Sequence, residues 1–196
     1  MILRNWPPPF KPERERPPGR PLLPNGIGNV DAITIRKAAP NGAEAACAVL
    51  VRSIKEICAP HYKNDQEILA QWLGNKTPAN VRQWVESGRS YCVVAADRKG
   101  LVVGFACIAG SEIMLNYVLP EALHQGIGKR MLQALENHAL DSGVEQIEVV
   151  STIPAKAFYE RNGYVSNGAP RYVGRIIGDF PLIKSLSHNK TLSRKR

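Results

Sequence analysis

The sequence predicts a mixed sheet of the α/β class with helices on both faces, and three observations carry that prediction. Short apolar runs of strand length alternate with segments whose apolar residues recur every three or four positions. Two of the runs are joined by "DRKG", a hairpin signal with Gly100 at the turn. A pair of glycines, Gly126 and Gly128, opens one of the helical segments just after an apolar run that ends at Pro120.

The elements follow in order. "AITIR" (32–36) reads as a strand. "GAEAACAVLVRSIKEICA" places Ala46, Val49, Leu50, Ile54 and Ile57 on one helical face, and "DQEILAQWL" predicts a second helix capped by Asp65 with Ile68, Leu69 and Trp72 inward. "SYCVVAA" and "LVVGFACIA" form the hairpin, and "SEIMLNYVL" adds a neighbouring strand. The helix from about Gln125 buries Ile127, Met131, Leu135 and Ala139 and stops near Gly143. "VEQIEVV" is a strand, "PAKAFYERNG" a short helix with Pro154 in its first turn, and "RYVGRIIGDFPLIKSL" one or two closing strands. The predicted order is β-α-α-β-β-β-α-β-α-β-β.

Composition sets the boundaries. Eight of the fifteen prolines fall in residues 1–24, which offer few apolar side chains for a core. Residues 1–30 are therefore expected to be an extended leader, residues 31–186 the folded domain, and residues 187–196 a basic tail. The net charge of +9 sits at the ends: residues 1–20 carry +3 and residues 184–196 carry +5, leaving +1 between them. A body so close to neutral speaks against a dedicated nucleic-acid surface. The four cysteines stand singly and read as reduced core thiols of a cytoplasmic protein, with no metal-ligand spacing. No apolar run approaches the ~20 residues needed to span a bilayer. The N-terminus lacks the apolar core of a secretory signal, which argues against export.

"HQGIGKR" (124–130) gathers glycines and cations at a helix start, the usual setting for an anion. It is not a dinucleotide fingerprint, because Met131 stands where a third Gly is needed. Nor is it a Walker loop, because Leu123 and Arg130 replace the required Gly and Ser or Thr. "YVLPEALHQGIGKRML" instead resembles the acyl-CoA loop of the GCN5-related N-acetyltransferases (GNAT), in which a strand ending in V-x-P leads to Q/R-x-x-G-x-G/A and a helix. Gly126 and Gly128 fill both glycine positions. Leu123 departs from the usual Gln or Arg, and His124 from a common Gly. "STIPAKAFYERNGYVSNG" is similar to the family's A-x-x-F-Y-x-x-x-G-F/Y segment, with Ala155, Phe158, Tyr159, Gly163 and Tyr164 in register.

The resemblance covers roughly residues 31–186 and implies a GNAT-like, mostly antiparallel central sheet. It also implies acetyl-CoA as acyl donor, with its pyrophosphate held by His124, Gln125, Gly126, Ile127, Gly128, Lys129 and Arg130. The fourth and fifth strands are expected to splay, freeing backbone groups near Tyr117, Val118 and Leu119 for the pantetheine arm, with Val118 N–H as the oxyanion donor. By the same resemblance Tyr159 protonates or hydrogen-bonds the leaving thiolate. A phenol of pKa about 10 facing a thiol of about 8.5 is about 2 kcal/mol uphill, which favours the hydrogen bond. Glu112, eleven residues ahead of position 123, resembles in its spacing the base of the histone-acetylating branch. A carboxylate at about 4.3 falls about 8 kcal/mol short of deprotonating an amine at about 10.4, so burial or a water relay must help.

His61 and Tyr62 border the expected acceptor site, either touching substrate or forming a packed turn. Ile153 replaces an Asn frequent in relatives, so one cofactor hydrogen bond is expected to be missing. The function implied is direct N-acetyl transfer to a small-molecule or protein amine by a monomer or homodimer. A non-catalytic acyl-CoA-binding module, motivated by Leu123 and Ile153, and an RNA- or ribosome-directed acetyltransferase docking through its tails are the alternatives.

Overall fold

The structure, a computed structural model, describes residues 33–187. The expected leader and all but the first residue of the expected tail lie outside the described residues.

β1 (Thr34–Lys37) pairs antiparallel with β2 (Tyr91–Ala96). Between them lie three helices where the periodicity predicted two. α1 (Ala43–Ser53) buries Ala46, Val49 and Leu50, and the chain then winds through a wider π turn over Ile54–Cys58 and a 3-10 turn over Ala59–Tyr62. α2 (Gln66–Leu73) is capped as expected, the Asp65 carboxylate accepting from the N–H groups of Glu67 and Ile68. α3 (Pro78–Glu86) is the unexpected helix. Thr77 Oγ1 caps it by accepting from Asn80 N–H at 3.2 Å, Pro78 occupies its first position, and Val81 and Trp84 are buried.

The hairpin of β2 and β3 (Val102–Ala109) turns at Gly100, whose φ of 80° suits glycine, while the Asp97 carboxylate accepts from Lys99 and Leu101 N–H. β4 (Glu112–Val118) follows antiparallel to β3. α4 (Ile127–Asp141) crosses β2, β3 and β4. It packs so closely that a Cβ on Gly104 would come 2.8 Å from Met131 Cε. Its C-terminus passes through Gly143 at φ 80°, as predicted. β5 (Gln146–Ser151), α5 (Lys156–Arg161), β6 (Val165–Ser166), β7 (Arg171–Val173) and β8 (Ile176–Ser185) complete the chain. The closing strands are thus two, with the short β6 before them.

The sheet runs β1-β2-β3-β4-β5-β8-β6, with β7 also on β8, and it is antiparallel except between β4 and β5. Those two strands share only two register pairs, Glu112↔Glu148 and Ile113↔Val149. Beyond them β4 stays with β3 as far as Val118, while β5 stays with β8 as far as Ser151. The sheet therefore opens into a V at its centre.

Candidate active site

A cavity of about 490 Å³ fills the V. One wall is β4 from Ile113 to Val118, the other runs from Val149 on β5 to Asn162 after α5, and the start of α4 lies across the mouth.

Register explains which backbone groups enter it. Leu119 N–H donates to Val103 O at 2.9 Å, so Val118 and Gly104 form a non-hydrogen-bonded pair, and Val118 turns its own N–H and C=O away from β3 toward the gap. Ser53 Oγ–H, fully buried at the end of α1, donates to the Val118 carbonyl at 2.8 Å. The Val118 N–H is left facing the cavity. Of the three residues expected to offer free backbone groups, Leu119 has its amide spent on β3. The strand alternation turns the Tyr117 backbone toward β3 as well. The Tyr117 side chain still lines the cavity.

At the mouth, His124 and Gly126 both adopt left-handed backbone, at φ 60° and 75°. For His124, which carries a Cβ, this conformation costs about 1–2 kcal/mol. α4 then begins without any side-chain cap, and its first closing bond is Arg130 N–H to Gly126 O at 3.0 Å. The amides of Ile127, Gly128 and Lys129 consequently have no helical acceptor where they border the cavity. The two glycines serve different ends. A Cβ on Gly126 would meet nothing, so its backbone angle is what requires glycine, whereas a Cβ on Gly128 would stand 3.6 Å from Phe158 and Val118, inside the cleft.

His124, Gly126, Ile127, Gly128 and Lys129 line the cavity, and Gln125 and Arg130 do not. Gln125 Nε2 donates to Glu121 O at 3.0 Å and Arg130 Nη2 to Ile33 O at 2.8 Å, so both side chains brace the loop.

Tyr159, from α5, is buried against the inner wall, edge-to-face with Phe158 at 5.1 Å and with Tyr164 at 5.3 Å. Burial pushes its phenol well above the ordinary range, and the Asn116 carboxamide pulls it partly back. Asn116 was missed by sequence reasoning. Its Nδ2 donates to Gly128 O at 3.3 Å, while its buried Oδ1 has no hydrogen-bond partner among the described residues. The available signal was a single amide side chain inside the apolar run of β4.

Glu112 lies elsewhere. It is exposed at the closed end of the V, where β4 still pairs with both neighbours, and it is outside the cavity lining. Tyr62 is fully buried, its O–H donating to Gly178 O at 2.6 Å and accepting from Ile153 N–H at 3.1 Å, while His61 is exposed. The packed-turn reading of this segment is the one observed. Cys58, also missed, lines the cavity, and burial pushes its thiol up to about 11 despite the Thr152 side chain beside it.

An orphaned carbonyl oxygen in the cleft fits an amide N–H of a pantetheine arm, and three free helix amides fit its pyrophosphate. No cluster of metal-ligating side chains occurs among the described residues, and no helix there is long and apolar enough to cross a membrane.

The comparisons with known proteins agree with this geometry. The family profile described as an acetyltransferase (GNAT) domain matches residues 58–180. Among solved structures, a GCN5-related N-acetyltransferase from Rhodopseudomonas palustris superposes with a TM-score of 0.67 at 23% identity, covering 82% of this chain and 98% of that one. The PaiA N-acetyltransferase from Thermoplasma acidophilum, solved with coenzyme A, gives 0.65 at 21% identity, covering 79% and 99%. Aminoglycoside 6'-acetyltransferase type Ii gives 0.58 at 19% identity, covering 78% and 96%. No protein of curated function matches the chain by sequence. A family match over most of the chain, on a sheet split in this way, makes the protein a member of the GNAT acetyltransferases, whose chemistry is acyl-CoA-dependent acetyl transfer.

Proposed function

We propose that this protein transfers the acetyl group of acetyl-CoA directly to the nitrogen of a primary amine, carried by a small molecule or a protein. The observation that carries the reading is the V between β4 and β5, which joins three uncapped helix amides at one end to a buried phenol within the same cavity.

Each step is assigned to residues of this chain. The amides of Ile127, Gly128 and Lys129 hold the pyrophosphate, and the Lys129 ammonium adds charge at the rim. Asn116 Oδ1 accepts from an amide of the pantetheine arm. Val118 N–H stabilises the oxygen of the thioester as the amine attacks its carbon. Tyr159, kept neutral by burial, donates a hydrogen bond to the departing sulfur. Cys58, the one thiol in the lining, stays protonated near neutral pH and is therefore a poor nucleophile, which favours attack by the amine itself over an acyl-cysteine intermediate. The amine's proton passes to solvent water, because Glu112 stands exposed at the closed end of the V, outside the cavity lining, too far along β4 to take it.

The test is a thiol-release screen with acetyl-CoA over polyamines, aminoglycosides, amino acids and peptides with free N-termini or lysines, run beside calorimetry with coenzyme A. Release with one amine class supports the proposal. Tight binding with no release from any class replaces it with a binding module, and no binding removes it.

A further inference from the structure

An ion pair bridges the two halves of the split sheet. Glu136 stands on α4, which lies against β2, β3 and β4, and Lys184 stands on β8, in register with Ile147 of β5. The Lys184 ammonium donates to both Glu136 carboxylate oxygens at 2.8 Å. The other ion pairs among the described residues, Arg52 with Glu56 and Glu121 and Lys156 with Glu160, each stay on one side of the split. Those are also the more exposed: the Glu136 side chain is only 13% accessible.

The Glu136 carboxylate has a third partner. Tyr164, buried just ahead of β6, donates its O–H to Glu136 Oε1 at 3.0 Å. Lys184 Nζ also lies 5.5 Å from the centre of the Tyr164 ring, so one cation engages both members. Tyr164 in turn holds Tyr159 in two ways. Its N–H donates to the Tyr159 carbonyl at 3.1 Å, and its ring meets the Tyr159 ring edge-to-face at 5.3 Å. Tyr159 and Phe158 line the cavity, whereas Tyr164, Glu136 and Lys184 do not. The polar cluster thus stands behind the phenol, outside the space open to cofactor and amine. A carboxylate that accepts three hydrogen bonds, two of them from a cation, fixes a ring more firmly than apolar contact alone.

We propose that Glu136 is a positioning residue for acetyl transfer: with Lys184 it fixes Tyr164, and Tyr164 sets the Tyr159 hydroxyl toward the departing sulfur. The inference rests on the acetyl-transfer reading above and adds the residues that hold its hydrogen-bond donor in place. A misplacement of about 1 Å at a reacting centre costs up to about a hundredfold in rate. Drift of Tyr159 therefore lowers turnover while the glycine loop, on the far side of the cavity, keeps its grip on the nucleotide.

The full-length protein is assayed for thiol release from acetyl-CoA with spermidine, kanamycin and a lysine-containing peptide with a free N-terminus. Glu136→Gln should lower kcat about tenfold, with the amine KM and the calorimetric affinity for coenzyme A within about twofold of wild type. Lys184→Met should reproduce that loss, and Lys184→Arg should recover most of it. In a Tyr159→Phe background, Glu136→Gln should lower kcat by less than about twofold further, because no hydroxyl remains to misplace. The same tenfold loss in that background overturns the proposal, since the effect then bypasses the phenol. Should the single variants fail to fold, Glu136→Leu combined with Lys184→Met leaves no unpaired charge and takes their place in the cycle. A second measurement needs no amine. With tyrosine ring carbons labelled for NMR, Glu136→Gln should move or broaden the Tyr159 signal, identified by its loss in Tyr159→Phe, while that of Tyr172, exposed on β7, stays in place. An unmoved Tyr159 signal overturns this inference and leaves acetyl transfer standing. No release with any of the amines, while calorimetry shows coenzyme A bound, removes the transfer reading and this inference with it.

Discussion

Tyr159 and Gly126 are the residues whose chemistry can be separated most cleanly. Removing the Tyr159 hydroxyl leaves the ring and its edge-to-face contacts, so Tyr159→Phe should lower kcat by about 10²–10⁴-fold while coenzyme A affinity in calorimetry stays within a few-fold. Because burial raises this phenol, wild-type activity should show no alkaline loss from its ionisation below about pH 10. Glu112→Gln should change turnover by less than about tenfold, since the carboxylate is exposed at the closed end of the V and outside the cavity lining. Gly126→Ala meets no atom yet must hold φ near 75°, which costs about 1–2 kcal/mol and should appear as a several-fold loss of coenzyme A affinity. At this scale the sequence was legible where a residue type is demanded by backbone geometry, as at Gly126, or by the space beside the cleft, as at Gly128. It was opaque where burial decides. Asn116 and Cys58 acquire their roles only because β4 and the turn after α1 face one cavity, and nothing local to either residue announces that.

Among elements, the turn joining α1 to α2 is tied to two separate parts of the sheet side of the cleft. Tyr62 O–H holds Gly178 O on β8 and Ile153 N–H before α5 at once, and its phenol is pushed up to about 12, chiefly by burial. Tyr62→Phe leaves a carbonyl and an amide without this shared partner, at about 1–3 kcal/mol. For a domain of this size that corresponds to a fall in Tm of roughly 2–12 °C. The same variant should raise the amine KM more than the acetyl-CoA KM, because the glycine loop lies at the other end of the cavity. Equal effects on both would place Tyr62 in general scaffolding. Elements with a strong period or a cap were readable beforehand: α4 through Ile127, Met131, Leu135 and Ala139, and α2 through Asp65. α3 carried its own signals, Thr77 before Pro78 and then Val81 and Trp84, yet with Asn80 and Arg82 between them its short apolar face does not stand out in composition. β6 is two residues long and exists only by pairing with β8, so no local period could reveal it.

For the whole molecule, the decisive feature is that two antiparallel halves, β1 to β4 and β5 to β8, meet through only two register pairs. The order of strands along the chain was legible, but the splay was available only through resemblance, because it depends on where pairing between distant segments stops. A ligand bridging the two halves must stabilise both together. At a free concentration about 100 times its Kd, coenzyme A should add about 2.7 kcal/mol, which for a chain of this length raises Tm by roughly 5–11 °C. The accompanying hydrogen-exchange pattern is the sharper measurement. Protection should rise at the Val118 amide and in the first turn of α4, where N–H groups lack protein acceptors, and should change little across the β2–β3 pairing, which is already closed. A Tm increase with new protection confined to β7 and β8 would move the nucleotide away from the glycine loop. It would also leave the three helix amides without the anion that their geometry requires.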